Sequence, residues 1–510
     1  MNRSRSALVG IVAGALTLGV ATLLAGLLTS TGLAAATSSP VIAVGGAFVD
    51  RTPPRLKDFA ISTFGTNDKL ALFVGMAVVL TAVCAVIGIV GARRHTAGLV
   101  AFVVVGAIGA LAVATRPSSG SLDIMPTMIG TAAGLWALSA LWQQGAKGAE
   151  GSAGSPVDRR RFLLLGAGIA AAAVTATALG QALGQRVAQA ARSRSAVVLP
   201  KVAKPVVVPA GAQLDVQGIT PYVMDNANFY RIDTALAVPQ LDTADWSLKV
   251  HGMVDQEVTI DWATLLRKPM QEALVTLMCV SNEVGGDLTG NAVWTGWPVR
   301  ELLKMAGPKP GADMVLSTSS DGWTAGTPLS VLTDDRNALL AIAMNGEPLP
   351  FEHGFPVRLV VPGLYGYVSA TKWLTDLKVS SFADDEGYWT PRGWSARGPV
   401  KTESRIDVPR SGGRVSAGKV AVAGIAWAQH RGIKAVEVRV DDEPWQSARL
   451  ADEPTIDSWR QWVLEWQAVK GNHTITVRAT DAEGAVQTQT EAPPAPDGAT
   501  GWHTITVNVS

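Results

Sequence analysis

The chain has 510 residues, 43 basic and 42 acidic, for a formal net charge of +1. That length exceeds one compact domain and points to about three or four. The balanced charge excludes the basic stripe of a nucleic-acid-binding protein, so no nucleic-acid partner is expected.

Composition is uneven along the chain. Residues 1–184 are rich in Ala, Val, Leu and Gly and poor in charge. Five apolar stretches lie there, at about 8–28, 69–90, 97–114, 124–142 and 162–183, each near the ~20 residues of a spanning helix. They predict a five-helix transmembrane bundle. Arg3 and Arg5, then Arg93, Arg94 and His95, then Lys147 and Arg159 to Arg161, all fall on one side if the spans alternate. The positive-inside rule then makes the N-terminus cytoplasmic and places everything after about residue 184 on the extracytoplasmic side of the cell membrane. Asp158-Arg159-Arg160-Arg161-Phe162-Leu163 also looks like a twin-arginine export signal; the plainer reading is a positive-inside flank. The spans hold almost no ionisable residue beyond Lys69 and no histidine for a b-type haem, so anchoring fits them better than transport.

Residues 185–217 read as a linker, extended where prolines recur. Residues 218–403 mix short strands and helices without a βαβ rhythm, which predicts an α+β domain. Trp246 to Val254 alternates like a strand. Thr259 to Leu266 reads as strand, Asp261 cap and short helix. Residues 314–317 and 338–344 are further strands or buried segments, and 358–361 is a strand ended by Pro362-Gly363. Residues 404–510 carry short strands near 420–427, 435–440, 445–450, 459–466, 473–480 and 503–509, with a turn at Asp441 to Pro444. That count and spacing predict an immunoglobulin-like β-sandwich.

Residues 276–303, TLMCVSNEVGGDLTGNAVWTGWPVRELL, hold one of only two cysteines. A short apolar strand delivers Cys279 to a loop with Gly285 and Gly286; Gly290-Asn291 reads as a second turn. Trp294-Thr295-Gly296 closes the loop, and Pro298 suits a helix start. The other cysteine, Cys84, lies in a predicted span, so no disulfide is expected, and no Cys/His spacing suits zinc or an iron–sulfur cluster. Cys279 itself can be a small buried hydrophobe, a nucleophile or a soft metal ligand.

The pattern CVSN-x-VGG-x-L-x-GNA-x-WTG resembles the cofactor loop of the sulfite oxidase family of molybdenum enzymes, and the likeness extends over about residues 219–509. It implies molybdenum-molybdopterin as cofactor, with the Cys279 thiolate on the metal. The implied chemistry is oxygen-atom transfer on a small-molecule substrate. No haem segment is recognised, so electrons are expected to pass to a separate partner, a cytochrome or a quinone route. Pterin contacts are implied at Asn226, Asn228, Tyr230 and Arg231 in N-A-N-F-Y-R, at Asn282, at Asp321, and at His353 and Arg358 in MNG-x-PLP-x-x-HGFPVR. Ala370, Thr371 and Lys372 fall where the family wraps the phosphate. The C-terminal part resembles the family's dimerisation domain through GIAWA, the run Trp459 to Trp466, RATD at Arg478 to Asp481 and the closing Gly-Trp-His-Thr-Ile-Thr-Val, so a homodimer is a possible partner state.

Three departures bear on substrate. Sulfite-oxidising members read C-x-x-N-R-R, where this chain has Asn282-Glu283-Val284. Ile232 stands near a further family arginine. The family's active-site tyrosine aligns with Trp394, leaving Tyr388 as a substitute catalytic candidate. Glu283 opposes a dianion, so sulfite is not expected as preferred substrate. A rival class is a non-catalytic, membrane-anchored surface protein that binds through the immunoglobulin-like domain. Intact Cys279, His353 and Arg358 argue against it.

Overall fold

In the computed structural model, all residues are described except 1, 31–33, 35–37, 54–55, 57–58, 60–62, 65–67, 117–118, 151–155 and 183–184, and the side chains of 145–150, 156–159, 182 and 185–188. The chain forms two compact units, Met1–Ala191 with Ala235–Gln240, and Arg192–Thr234 with Leu241–Ser510.

In the first unit, long helices cover the five apolar stretches: Arg3–Ser30, Asp68–Gly91, His95–Ala114, Met125–Glu150 and Pro156–Ala182. Among the described residues, four helical segments are long and apolar enough to cross a membrane: Arg3–Thr29, Asp68–Gly91, His95–Ala114 and Arg160–Gln181. The expected fifth span departs from this. Met125–Glu150 is a helix, but Thr127, Thr131, Ser139, Gln143 and Gln144 dilute its apolar run. The Arg3–Ser30 helix packs most extensively against Met125–Glu150, Pro156–Ala182 and Asp68–Gly91. Arg160 and Arg161 of the candidate export signal are exposed; the side chains of Asp158 and Arg159, like that of Lys147, lie outside the described residues.

The expected linker is not a free spacer. Gln185–Ser195 is a helix, and the chain from Arg192 belongs to the second unit. Arg194 donates to the Leu349 and Pro348 carbonyls, both at 2.8 Å. Leu199, Val202, Val206 and Val208 pack on that unit's main core. The valines between the prolines carry apolar surface, and burying it outweighs the extended preference of a solvated spacer.

The second unit holds four sheets. Strands β1 (Ser247–Gly252), β2 (Val258–Asp261), β3 (Gln271–Met278), β4 (Thr289–Pro298), β5 (Met314–Ser319), β6 (Thr324–Pro328), β7 (Leu339–Met344), β8 (Glu347–Pro348), β9 (Arg358–Val360) and β10 (Leu374–Ser380) build two of them. One has the order β2-β1-β10-β5-β6, with β1 parallel to β10; the other has the order β3-β4-β7-β8, with β9 on β7. Asp261 caps the helix Trp262–Leu266 by accepting from the Thr264 N–H, as its sequence position predicts. The β3 sheet is covered on both faces. Ala273, Val275 and Leu277 enter one core, and Leu274 and Met278 enter the other. Side chains alternate along a strand, so an unbroken apolar run such as Leu339–Met344 is what two covered faces require.

The expected second turn at Gly290-Asn291 is strand. So is Trp294-Thr295-Gly296; β4 pairs with β3 along its length. Gly290 answers a close approach rather than a turn: a β-carbon there would lie 2.6 Å from the Phe229 ring.

Strands β11 (Glu403–Val408), β12 (Gly413–Val415), β13 (Gly418–Trp427), β14 (Ile433–Val440), β15 (Gln446–Ser447), β16 (Arg449–Leu450), β17 (Arg460–Ala468), β18 (Gly471–Asp481) and β19 (His503–Val509) form the other two sheets, β11-β13-β17-β16 and β12-β19-β18-β14-β15. Both contribute to one apolar core that includes Trp462, Trp466, Val436, Val477 and Ile505. Trp427 and Trp459 instead enter the main core shared with the first two sheets. The tryptophan run therefore divides between packing the C-terminal sheets internally and fusing them to their neighbour.

Candidate cofactor site

The site starts at the end of β3. Cys279 is buried, and its backbone N–H donates to the Leu288 carbonyl at 2.9 Å, closing the loop. The Ser281 N–H lies 3.4 Å from the Cys279 sulfur. Burial raises the thiol above its ordinary range, so the free side chain stays protonated until a metal displaces the proton. Asn282 is used by the loop itself: its Oδ1 accepts from the Leu288 N–H at 2.8 Å, and its Nδ2 donates to the Glu283 carbonyl. Glu283 is exposed.

A cluster of cations is centred on Arg358 and Lys372, whose side chains meet over Gly354. Arg358, the first residue of β9, is 5% exposed. Its guanidinium donates to the carbonyls of His353 at 3.2 Å, Ala370 at 3.3 Å and Leu359 at 3.3 Å, and sits over the Trp294 ring at 5.0 Å. Among the described residues no carboxylate pairs with it. Burial lowers it to about 10, against the pull of Tyr230. Tyr230 ties the halves of the site together. Burial raises its phenol first, Cys279 raises it further, and Arg358 opposes the shift.

His353 donates from Nε2 to the Asn226 carbonyl at 3.1 Å. Burial, then Arg358 and Lys372, lowers it to about 4. The ring is therefore neutral at physiological pH, and with the proton on Nε2 its Nδ1 is an acceptor. Lys372 donates to Asp233 at 2.7 Å and to the Glu352 carbonyl at 3.0 Å. Burial, offset mainly by Asp233, lowers Lys372 to about 8. Arg231 donates to the same Asp233 oxygen at 2.8 Å. Arg231 and Lys372 thus share one carboxylate, Arg358 has none among the described residues, and the cluster has an excess of positive charge.

Other expected contacts have structural duties. Asn226 donates to the Met344 carbonyl and accepts from Asn345. Asn228 is exposed. Asp321 accepts from the Trp323 N–H inside the β5–β6 turn, and the adjacent Ser320 N–H bonds the Trp373 carbonyl. The buried Thr371 hydroxyl shares a 2.7 Å bond with Ser317. The Tyr388 N–H bonds Thr324, its ring meets Trp389 at 5.1 Å, and Arg392 lies over it at 3.7 Å. Sequence reasoning missed Asp233 and Trp294. The sign of Asp233, two places after Arg231, was the available signal. Trp294 lies in a glycine-rich segment whose wording predicts a loop, and it is a buried residue of β4.

The residues fit an anionic, thiol-binding cofactor. A buried guanidinium without a carboxylate has a place for an oxyanion, and the strand-end sulfur is a soft donor. Comparison with known proteins agrees. Residues 235–389 match the family described as "Oxidoreductase molybdopterin binding domain". The chain is 35% identical over 157 residues to the "Uncharacterized oxidoreductase YuiH" of Bacillus subtilis, covering 31% of this chain and 76% of that one. It is 30% identical over 323 residues to the mitochondrial sulfite oxidase of Mus musculus. That match covers 53% of this chain and spans only 58% of the mouse protein. Among solved structures, the sulfane dehydrogenase SoxCD of Paracoccus pantotrophus shares the fold, with a TM-score of 0.51 and 21% identity over 61% of this chain and 90% of that one. These findings define a molybdopterin-binding oxidoreductase domain. The chain belongs to the sulfite oxidase family of molybdopterin-dependent oxidoreductases.

Proposed function

We propose that this chain is a membrane-anchored molybdenum-pterin oxidoreductase that transfers an oxygen atom to or from a small substrate. The observation that carries the reading is Arg358, a buried cation held by carbonyls and the Trp294 ring with no carboxylate partner among the described residues. When bound, the cofactor supplies the oxygen-atom transfer and the two-electron chemistry. Cys279 gives the metal a thiolate and fixes it at the end of a rigid strand. Arg358 and Lys372, with Arg231, hold the pterin phosphate. Neutral His353 keeps its Nε2 on the Asn226 carbonyl and offers an acceptor to the pterin. Asn282 braces the cysteine loop, and the backbone of Ala370 and Thr371 lies beside Arg358. Asn226 supports Asn345 and His353, Asn228 and Asp321 are further candidate pterin contacts, and Tyr388 is the candidate for a proton at the substrate.

The apolar helices anchor this domain, with the N-terminus cytoplasmic and the catalytic part outside. The C-terminal sheets form an immunoglobulin-like sandwich, a candidate dimer surface. Electrons pass from the site to a separate partner, a cytochrome or a quinone route. Glu283 and Ile232, both exposed, replace cations expected around a sulfite dianion, so a neutral or less charged sulfur-type substrate is favoured. The deciding experiment is elemental analysis of purified full-length protein beside Cys279→Ser. About one molybdenum per chain in wild type supports the cofactor reading. A cofactor-competent host that yields metal-free wild type overturns it. High sulfite turnover by loaded protein overturns the substrate assignment.

A further inference from the structure

The segment that carries Cys279 is held from outside its own domain fold. β3 is an edge strand. Its open edge is closed by the C-terminal part: the Thr276 N–H donates to the Asp457 carbonyl at 3.0 Å, and the Trp459 N–H donates to the Thr276 hydroxyl at 2.8 Å. Past Cys279, the loop tip is gripped by β11 and β19. Arg405 donates to the Gly286 carbonyl at 2.8 Å. The same guanidinium donates to Asp407 at 2.8 Å and to the Thr220 hydroxyl at 2.7 Å, so its direction is fixed. On the other side, His503 accepts the Ile406 N–H at Nδ1 at 3.0 Å, and its ring lies against Gly285. Gly285 has φ +78°, and a β-carbon there would collide with that ring.

The loop transmits this grip inward. The Gly286 N–H bonds Glu283 at 2.8 Å, the Asn282 N–H bonds the Cys279 carbonyl at 3.1 Å, and Cys279 and Asn282 both bond Leu288. We infer that Arg405 and His503 are positioning residues that set the orientation of the Cys279 thiol through the Gly285-Gly286 tip. The C-terminal sheets therefore tune the metal centre rather than only extending the fold. This rests on the reading of Cys279 as a metal ligand. Groups that orient a ligand change affinity or activity by about 10–100-fold when removed.

The test compares full-length wild type, Arg405→Met, Arg405→Lys and Gly285→Ala. Gly285→Ala displaces the same tip without breaking the Arg405–Asp407 pair, so it decides if Arg405→Met fails to fold. Molybdenum content is expected to stay near wild type, because the phosphate cradle is untouched. The paramagnetic resonance signal of the half-reduced metal is expected to shift, and kcat to fall about 10–100-fold with little change in KM. Arg405→Lys, which can still reach the Gly286 carbonyl, is expected to recover part of both. In cofactor-free full-length protein, Cys279 is expected to alkylate faster in the variants, mapped by peptide mass apart from Cys84. An unchanged resonance signal and alkylation rate in folded Gly285→Ala overturn the inference. Metal-free wild type is a different failure: it removes the ligand reading, while the alkylation rates still decide whether the clamp holds the thiol.

Discussion

Arg358 and Arg405 are buried to nearly the same degree, 5% and 9% exposed, in the same compact unit. Arg405 has Asp407 at 2.8 Å, and the neighbouring Arg431 has Asp481 at 3.1 Å. Arg358 has three carbonyls and an indole ring. A buried charge needs a partner of opposite sign, because desolvation otherwise dominates. Where the chain supplies that partner, the arginine is architecture. Where it does not, the partner comes from outside, and the place is a site. Burial and residue type are equal here, so pairing carries the distinction.

The sharpest test is the same substitution at both places. Arg405→Met leaves Asp407 buried and uncompensated, and is expected to destabilise the protein by about 3–5 kcal/mol. Arg358→Met removes an uncompensated charge. The cofactor-free protein is then expected to unfold at the same temperature as wild type or higher. Its cofactor retention should fall instead, by about 10–100-fold, the worth of charge-assisted bonds of roughly 1.5–3 kcal/mol. Thermal unfolding and molybdenum content, measured on both variants, check the two halves. A large drop in unfolding temperature for cofactor-free Arg358→Met would erase the contrast.

The cations also predict a pH response. His353 is lowered to about 4 by burial and by Arg358, Lys372 and Arg231. Between pH 4 and 6.5 the unfolded chain binds more protons than the folded one. Stability that is complete above pH 6.5 is therefore lost as pH falls towards 4, by up to about 3 kcal/mol. His503 is lowered to about 4 as well, mainly by burial and by Arg405, and adds a slope of the same sign. His353→Gln is expected to flatten one share of the acid-unfolding curve and His503→Gln the other. Lys372, lowered to about 8, responds at the alkaline end. Between pH 8 and 10.5 the unfolded lysine binds the extra proton, so the cofactor-free protein gains stability as pH rises. Its hold on a phosphate weakens over the same range, because a neutral amine attracts no anion. Opposite trends in unfolding temperature and cofactor retention above pH 8 are the expected signature. They are expected to vanish in Lys372→Met.

Much of this was legible in the residues themselves. The strands near 420–427, 435–440, 459–466 and 503–509 were legible from their length and the turns between them, and the Asp261 cap from its place before a short helix. Arg231, His353, Arg358 and Lys372 stood out through residue type and motif wording, and the fold brings them together. Three kinds of information were absent. β11 and β12 are short and polar at their ends, so nothing separates them from loop until a partner strand is known. Gly290 and Asn291 look like a turn, yet the glycine makes room for Phe229 and Asn291 is a buried strand residue bonded to Thr276 and Tyr222. Arg405 reaches Gly286 from 119 positions away, and no local pattern encodes that contact. The same limit hid Asp233 as a shared counter-charge and hid the bonds that the Asn282 and Thr371 side chains make to Leu288 and Ser317.

The smallest expected effect comes from a third arginine. Arg478 pairs with Glu437 at 2.8 Å, as Arg405 pairs with Asp407, but both partners are about a quarter exposed. Its guanidinium also lies 4.2 Å from the centre of the Trp445 ring. Water screens such a pair and solvates whichever partner is left behind, so its worth is about 0–1 kcal/mol. Stacking on tryptophan adds roughly 0.5–1 kcal/mol at an exposed position. Arg478→Met keeps an apolar stem over the ring and is expected to shift stability by about 1 kcal/mol or less, with unchanged molybdenum content. A denaturant titration beside Arg405→Met separates the variables. If Arg478→Met costs as much as Arg405→Met, pairing by itself sets the size of the effect. If it costs a small fraction, burial sets the size and pairing sets the sign, which is the pattern that isolates Arg358 as the cation waiting for an external anion.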